Sequence, residues 1–156
     1  MRKIIFMLPF IFIGCMNKDI TSIKIQYNIS SEINLFDGTY VVHQMGKDDF
    51  HYNFPISEDE INEIKKSYNN QSISNYEKEL LIVDDKPLIM PSTDIKYIIN
   101  FSNGDKQVFN IKTDFRKNPL DNGKYKDLKV FVEKINNTIK SKEEIKKVEK
   151  SNILSF

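Results

Sequence analysis

Few side chains of this chain have the types and spacing that chemistry requires, and the first candidates are two histidines. His43 and His51 are the only histidines among the 156 residues. If a three-residue loop centred on Lys47 joins the two strands that carry them, their imidazoles face each other, and Asp49 could add an oxygen ligand for a transition metal. The alternative is two solvated sheet residues, and no third ligand has a diagnostic spacing. We therefore predict no metal site and keep His43 and His51 as weak candidates.

Two pairs of neighbouring carboxylates, Asp48-Asp49 and Asp84-Asp85, could serve acid/base chemistry if one member lost its solvent in a cleft. Both pairs lie close to glycine or proline in predicted turns, where aspartate is favoured because it bonds the local backbone. The sequence contains no glycine-rich phosphate loop and no serine in a nucleophile elbow. We predict no catalytic residue and no cofactor, and assign the four aspartates to contact with a protein partner.

The first residues of the chain have the layout of a secretory signal. Arg2 and Lys3 precede an apolar run over residues 4–14, and Gly14-Cys15 ends that run. A run of this length is too short for the ~20 residues that cross a bilayer as a helix. Cys15 is the chain's only cysteine, so it has no internal disulfide partner. In an exported protein, a lone free thiol at the end of an apolar run would be unusual. The alternatives are a signal peptide without lipid and a buried thiol.

Phe12-Ile13-Gly14-Cys15 resembles the lipobox of bacterial lipoproteins, in which a small residue precedes an invariant cysteine. That family usually has leucine where this chain has Phe12. The resemblance implies a diacylglyceryl group on Cys15 and cleavage of the peptide bond before it. It also implies a lipid-anchored protein of the bacterial cell envelope, which we assign to the outer membrane. The resemblance covers only the first tenth of the chain.

Composition divides the chain into four segments. We predict a signal peptide over 1–14, a lipidated tether over 15–21, a single domain over 22–140, and a charged helical extension or tail over 141–156. A domain of this size buries roughly two-thirds of its unfolded surface, so it needs neither disulfide nor metal to fold.

Alternating apolar residues predict strands, and wider spacings predict two helices. The predicted strands cover 23–29, 40–45, 50–54, 80–83, 88–90, 95–101 and 109–111. Ser57 and Glu60 form a capping box that begins the first helix, and apolar residues from Leu128 to Ile139 define the second. A three-residue loop with left-handed Gly104 keeps the apolar face continuous between the last two strands. The predicted fold is α+β: an antiparallel sheet of about five to seven strands with two helices packed on one face.

Charge is unevenly distributed along the chain. Residues 19–94 carry fourteen acidic side chains against six basic ones, whereas 95–150 carry fourteen basic against eight acidic ones. The lysines after residue 124 alternate with acidic residues, which argues against nucleic acid. We expect a membrane-anchored, non-catalytic protein-binding or scaffold module whose acidic turns meet a partner with a basic surface. One alternative is an immunity or inhibitor protein that neutralises an envelope-targeting toxin or enzyme, in which one acidic patch meets a basic partner. That patch would consist of Asp48, Asp49, Glu58, Asp59, Asp84 and Asp85. The other alternative is an uncharacterised enzyme.

Overall fold

The computed structural model describes residues 18–83, 88, 92–114 and 118–148. Its seven strands are β1 (Ile20–Tyr27), β2 (Ser31–Asn34), β3 (Thr39–Val42), β4 (Phe50–Asn53), β5 (Glu79–Ile82), β6 (Thr93–Phe101) and β7 (Lys106–Thr113). Its α-helices are α1 (Glu58–Asn70), α2 (Lys126–Lys140) and α3 (Glu143–Lys146). Single 3₁₀ turns cover Ile73–Asn75, Pro119–Asp121 and Gly123–Tyr125.

The strands form one sheet in the order β4-β3-β2-β1-β6-β7-β5. Every neighbouring pair is antiparallel except β5 and β7, which are parallel because the chain reverses direction twice between them, once before and once after β6. The predicted α+β class, strand number and helix pair are confirmed, and the parallel pair was not expected. The strand predicted over 80–83 is confirmed as β5, and Ile82 is buried, but the burial predicted for the rest of it was wrong: β5 is an edge strand, and 56% of the Leu81 side chain is exposed.

One face of the sheet, the inner face, is covered by α1 and α2. Alternate residues of β1, β2, β6 and β7 are buried there, as period two requires: Ile23, Ile25, Ile33, Tyr97, Ile99, Phe109 and Ile111. The helices contribute Ile64, Tyr68, Leu128, Phe131 and Ile135 to the same cluster. Full burial of one such side chain stabilises the fold by about 1.5–3 kcal/mol, so this layer dominates folding.

Helix α1 begins where the capping box predicts. The Ser57 hydroxyl accepts a hydrogen bond from the Glu60 backbone N–H (3.2 Å), and the Glu60 carboxylate accepts one from the Ser57 backbone N–H (2.9 Å). Lys142 also donates to Glu60 at 2.6 Å, and this bond, followed by the Ser57 backbone bond, holds the pKa of Glu60 below its ordinary value. The cap therefore also ties the start of α1 to the chain segment that follows α2.

The β6–β7 hairpin has the predicted register. Ile95 lies opposite Ile111, and Tyr97 lies opposite Phe109. Gly104 has a φ of +83°, the left-handed conformation that a three-residue loop with a bulge requires. The alternation of apolar residues alone was sufficient to choose this loop length.

Strand β2 was not predicted, and the end of β1 was placed too late. Asn28 leaves the strand at a φ of +47°, and its side-chain oxygen accepts a hydrogen bond from the Asp94 backbone N–H. Ile29 therefore lies in the β1–β2 turn with 67% of its side chain exposed. The chain then returns as β2, in which Ile33 pairs with Ile25.

Gln107 is a buried polar residue on the inner face. Its amide nitrogen donates to the backbone carbonyl oxygens of Ile73 (3.1 Å) and Tyr76 (3.0 Å), and its amide oxygen accepts from the Tyr68 hydroxyl at 2.8 Å. Burial raises the pKa of Tyr68 to about 12, so this hydroxyl stays protonated and donates. One side chain thus connects β7, α1 and the 3₁₀ turn Ile73–Asn75.

Two predictions concern segments that the structure describes only in part. In the region 141–156, helix α3 occupies Glu143–Lys146, and residues 149–156 lie outside the described residues. Of the strand predicted at 88–90, only Leu88 is described, and it is not in a strand.

Candidate binding surfaces

The β3–β4 loop carries one of the two histidines, and its length differs from the prediction. Val41 lies opposite His51, and Tyr40 opposite Tyr52, so the loop spans the seven residues 43–49. The predicted apolar pairing holds because seven, like three, is odd. His43, however, does not lie opposite His51. The proposed pair of facing imidazoles is therefore absent, and it was the strand register that excluded it.

Asp49 closes this loop by bonding its own neighbours. Its carboxylate lies 2.8 Å from Nδ1 of His43 and accepts a hydrogen bond from the Gln44 backbone N–H at 3.1 Å. The bond with His43, followed by that from Gln44, holds the pKa of Asp49 below its ordinary value. Asp48 beside it is exposed. Across the described part of the chain, no three His, Cys, Asp or Glu side chains are grouped so that they could hold a metal ion.

The two ends of the sheet differ in what they carry. We call the end at the β6–β7 hairpin (residues 102–105) the tether end, because the chain enters β1 there. Asp19 accepts a hydrogen bond through its backbone oxygen from the Ser102 N–H at 2.8 Å. Lys18 forms an ion pair with Asp105 at 2.7 Å, and the Asp19 carboxylate bonds Lys65 at 2.9 Å. These contacts fix the entry of the chain to one end of the sheet.

Two lysine side chains at the tether end contact the same carboxylate, that of Asp105. Lys18 bonds its carboxylate, the Asn103 amide donates to it at 3.1 Å, and Lys78 lies 3.3 Å away. Together, led by Lys18, they lower the pKa of Asp105 to about 2. Asp105 therefore remains ionised through the acidic range in which other carboxylates protonate.

The opposite end of the sheet, the distal end, consists of the β1–β2 turn (28–30) and the β3–β4 loop (43–49). Two of the most exposed large apolar side chains of the described residues lie here: Ile29, 67% exposed, and Met45, 65% exposed. Strand β5 also runs toward this end, because it is parallel to β7, and exposed Val83 follows it. Exposed apolar side chains mark a contact surface where they form one patch, which makes these neighbouring loops a candidate for such a surface.

The sequence-predicted acidic contacts are only partly described. Asp48 and Asp49 lie in the distal loop, whereas Glu58 and Asp59 begin α1 after the other end of β4. These two pairs therefore do not form the single acidic surface that we expected from the turns. Asp84, Asp85 and the predicted lipidation site Cys15 lie outside the described residues.

The outer face of the sheet, opposite the helices, carries a groove over β5, β6 and β7. Its volume is about 570 Å³. Its central residues are apolar: Leu81, Ile98 and Val108. Lys96, Lys106, Lys112 and Glu79 border these residues, and Asn110 lies between them in the floor. No contact between sequence neighbours predicts this groove, because β5 and β7 are far apart in the chain. The available signal was the presence of Ile98 and Val108 at positions that face away from the core.

Neither a family model, nor a curated protein, nor a solved structure matches this chain. Within the ranges that the structure describes, none of the helices has the length and apolar character needed to cross a membrane. The function of this chain must therefore be inferred from its own residues and geometry.

Proposed function

We propose that this chain is a lipid-anchored protein of the bacterial cell envelope that binds another protein without catalysing a reaction. The observation that carries the proposal is the separation of the two ends of the sheet. The chain enters the domain at the tether end, while exposed Ile29 and Met45 lie at the distal end. An anchor at Cys15 would hold the tether end near the membrane and leave the distal loops available to a partner.

Chain lengths support this arrangement. Four peptide units separate Cys15 from Asp19, and they span at most about 14 Å when fully extended. Asp19 is fixed to the hairpin by the Ser102 N–H. From Ile20, strand β1 rises about 24 Å toward the distal end, at ~3.4 Å per residue. The distal loops therefore lie farther from Asp19 than the longest distance that the tether can span.

The partner we propose is a protein with a basic surface. Exposed Asp48 lies beside Met45 in the distal loop, and in the sequence Asp84 and Asp85 follow the distal end of β5. Loops held by a rigid sheet commonly carry binding residues. Complementary charge mainly raises the association rate, and salt screens it with a Debye length of about 8 Å at physiological ionic strength.

Orientation on the membrane tests the first part of the proposal. Because Cys15 is the only cysteine, a second cysteine can be labelled alone once lipid occupies the first. We would place a fluorescent donor at Ser102→Cys or Lys47→Cys and an acceptor on the lipid headgroups. We expect stronger energy transfer from position 102 than from 47, and none from either label when Cys15→Ser is added. Equal transfer from both positions would contradict the proposed orientation.

Association kinetics test the second part. With a captured partner, we expect the association rate to fall as salt rises, and Asp84→Lys with Asp85→Lys to slow association further. Glu143→Lys with Glu144→Lys, on α3, is the matched control, because it makes the same charge change away from the distal end. An association rate that salt does not alter, or turnover of a substrate by the purified protein, would contradict the proposal.

A further inference from the structure

The groove on the outer face of β5, β6 and β7 has uncompensated positive charge. Lys96 and Lys106 form no ion pair with any residue in the described ranges, and Lys112 has only Asp94 at 3.7 Å. Glu79 is the single acidic residue among those that line the groove. Three lysines against Glu79 and Asp94, which pairs with Lys112, leave a net charge of +1 around an apolar floor. Charge complementarity therefore favours an anionic occupant.

The charges lie at the two ends of the groove rather than at one point. Lys106 and Lys112 face the same way on β7 and are six residues apart, a distance of about 20 Å. Lys96 pairs with Asn110, near the Lys112 end. A small molecule with one anionic group could form an ion pair with the lysines at only one end of the groove. An extended polypeptide of about six residues would reach both at ~3.3 Å per residue.

The centre of the groove supplies an apolar contact. Ile98 and Val108 are directly paired across β6 and β7, and Leu81 flanks them on β5 with 56% of its side chain exposed. Alternate residues of an extended segment point to the same side. The central side chains of such a segment would therefore rest on this apolar floor while its ends lie near the lysines.

Asn110 distinguishes a peptide from a fatty acid or a lipid acyl chain. Its side-chain oxygen is buried, and no residue in the described ranges donates a hydrogen bond to it. A buried acceptor without a donor is destabilising. Rotation of the Asn110 amide toward the groove would expose this oxygen to an occupant, so an occupant that supplies a donor there gains a hydrogen bond. Polypeptides supply backbone N–H groups, and acyl chains supply none.

We infer that this groove binds an extended acidic segment of a partner protein, with acidic side chains about four to six residues apart and apolar side chains between them. The segment's carboxylates bond Lys106 at one end and Lys96 or Lys112 at the other. Its central side chains cover Ile98 and Val108. This surface is separate from the distal loops, and its test does not depend on lipidation of Cys15.

Selection from a random twelve-residue peptide library, displayed on phage, tests the inference. The target is the full protein, purified from whole cells in mild detergent. The counter-target is its Lys96→Glu/Lys106→Glu variant. Lys126→Glu/Lys140→Glu is the matched control, because it makes the same charge change at exposed lysines of α2 that have no ion pair in the described ranges. Unchanged circular dichroism and urea midpoints establish that all three proteins are folded.

We expect selected peptides to carry acidic residues four to six positions apart with apolar residues between them. Their affinity should fall at least about tenfold on the groove variant, because two attractive charge pairs become repulsive, and less than about twofold on the α2 variant. Amide chemical shifts should change on β5, β6 and β7.

Three results would overturn the inference: no enrichment, equal losses on both variants, or shift changes confined to other elements. Displacement of the selected peptides by phosphatidylglycerol vesicles, with vesicle binding lost on the groove variant, would assign the groove to lipid headgroups instead.

Discussion

Replacement of Gln107 tests how the buried layer holds together. In Gln107→Leu the side chain keeps nearly the same volume but loses every polar contact. The Tyr68 hydroxyl loses its acceptor, and the backbone carbonyls of Ile73, Tyr76 and Glu77 each lose a donor. Glu77 is exposed, so water can replace its bond, which is the longest at 3.4 Å. Ile73 keeps one bond, from the Tyr76 N–H. Two groups therefore become unsatisfied while buried, at about 1–3 kcal/mol each. We expect a loss of about 2–4 kcal/mol in the free energy of unfolding.

A double-mutant cycle with Tyr68→Phe isolates the hydroxyl bond. Tyr68→Phe alone leaves the Gln107 amide oxygen without a donor and should cost about 1–2 kcal/mol. In the double variant the hydroxyl and the amide oxygen disappear together, so the total should be smaller than the sum by roughly 1 kcal/mol. Urea denaturation followed by far-ultraviolet circular dichroism measures all four proteins. Additive losses, or a Gln107→Leu variant as stable as the parent, would refute the account of this residue.

Four further substitutions probe other parts of the fold. Ser57→Ala should lower the free energy of unfolding, measured by urea denaturation, by about 1 kcal/mol, because α1 loses its cap. An unchanged free energy would mean that the capping box does not stabilise the domain. Gly38→Ala should destabilise the domain by more than about 2 kcal/mol, because φ is +63° and a Cβ would collide with the Phe54 carbonyl oxygen. Gly104→Ala, with nothing within 4 Å of its Cβ, should cost only about 1 kcal/mol, and equal losses would contradict this reading. The folded-state pKa of Asp105, about 2, lies below the ordinary aspartate value of 3.8. Its stabilisation should therefore be complete above pH 4 and disappear as pH falls toward 2. Asp105→Asn should remove this part of the pH dependence of the urea midpoint, and an unchanged slope would contradict the assignment.

Local signals in the sequence predicted much of this fold. The capping box at Ser57 and Glu60 predicted the start of α1, because both partners lie within one turn. The alternation of apolar residues along β6 and along β7 predicted that Tyr97 lies opposite Phe109, because a shift by one residue would have exposed an entire apolar face. These successes share short separations in the chain and a clear apolar pattern.

The errors have equally definite causes. Strand β2 contains one large apolar residue, Ile33, within four residues, too few to show a period. The loop that carries His43 has seven residues rather than three, and both lengths satisfy the same alternation. The groove required knowledge that β5 lies beside β7, a parallel pairing that no local pattern specifies. Gln107 occupies a position that faces the core, where the alternation predicts an apolar residue. Its burial is explained only by hydrogen-bond partners that are distant in the sequence.

Intact-mass analysis of protein extracted from membranes tests the central claim most directly. The proposal predicts a chain that begins at Cys15, lacks residues 1–14 and carries the added mass of a diacylglyceryl group. Cys15→Ser should abolish that addition and release the protein from membranes or leave it uncleaved. An unmodified Cys15 in membrane-extracted protein would contradict the claim that lipid on this residue anchors the domain.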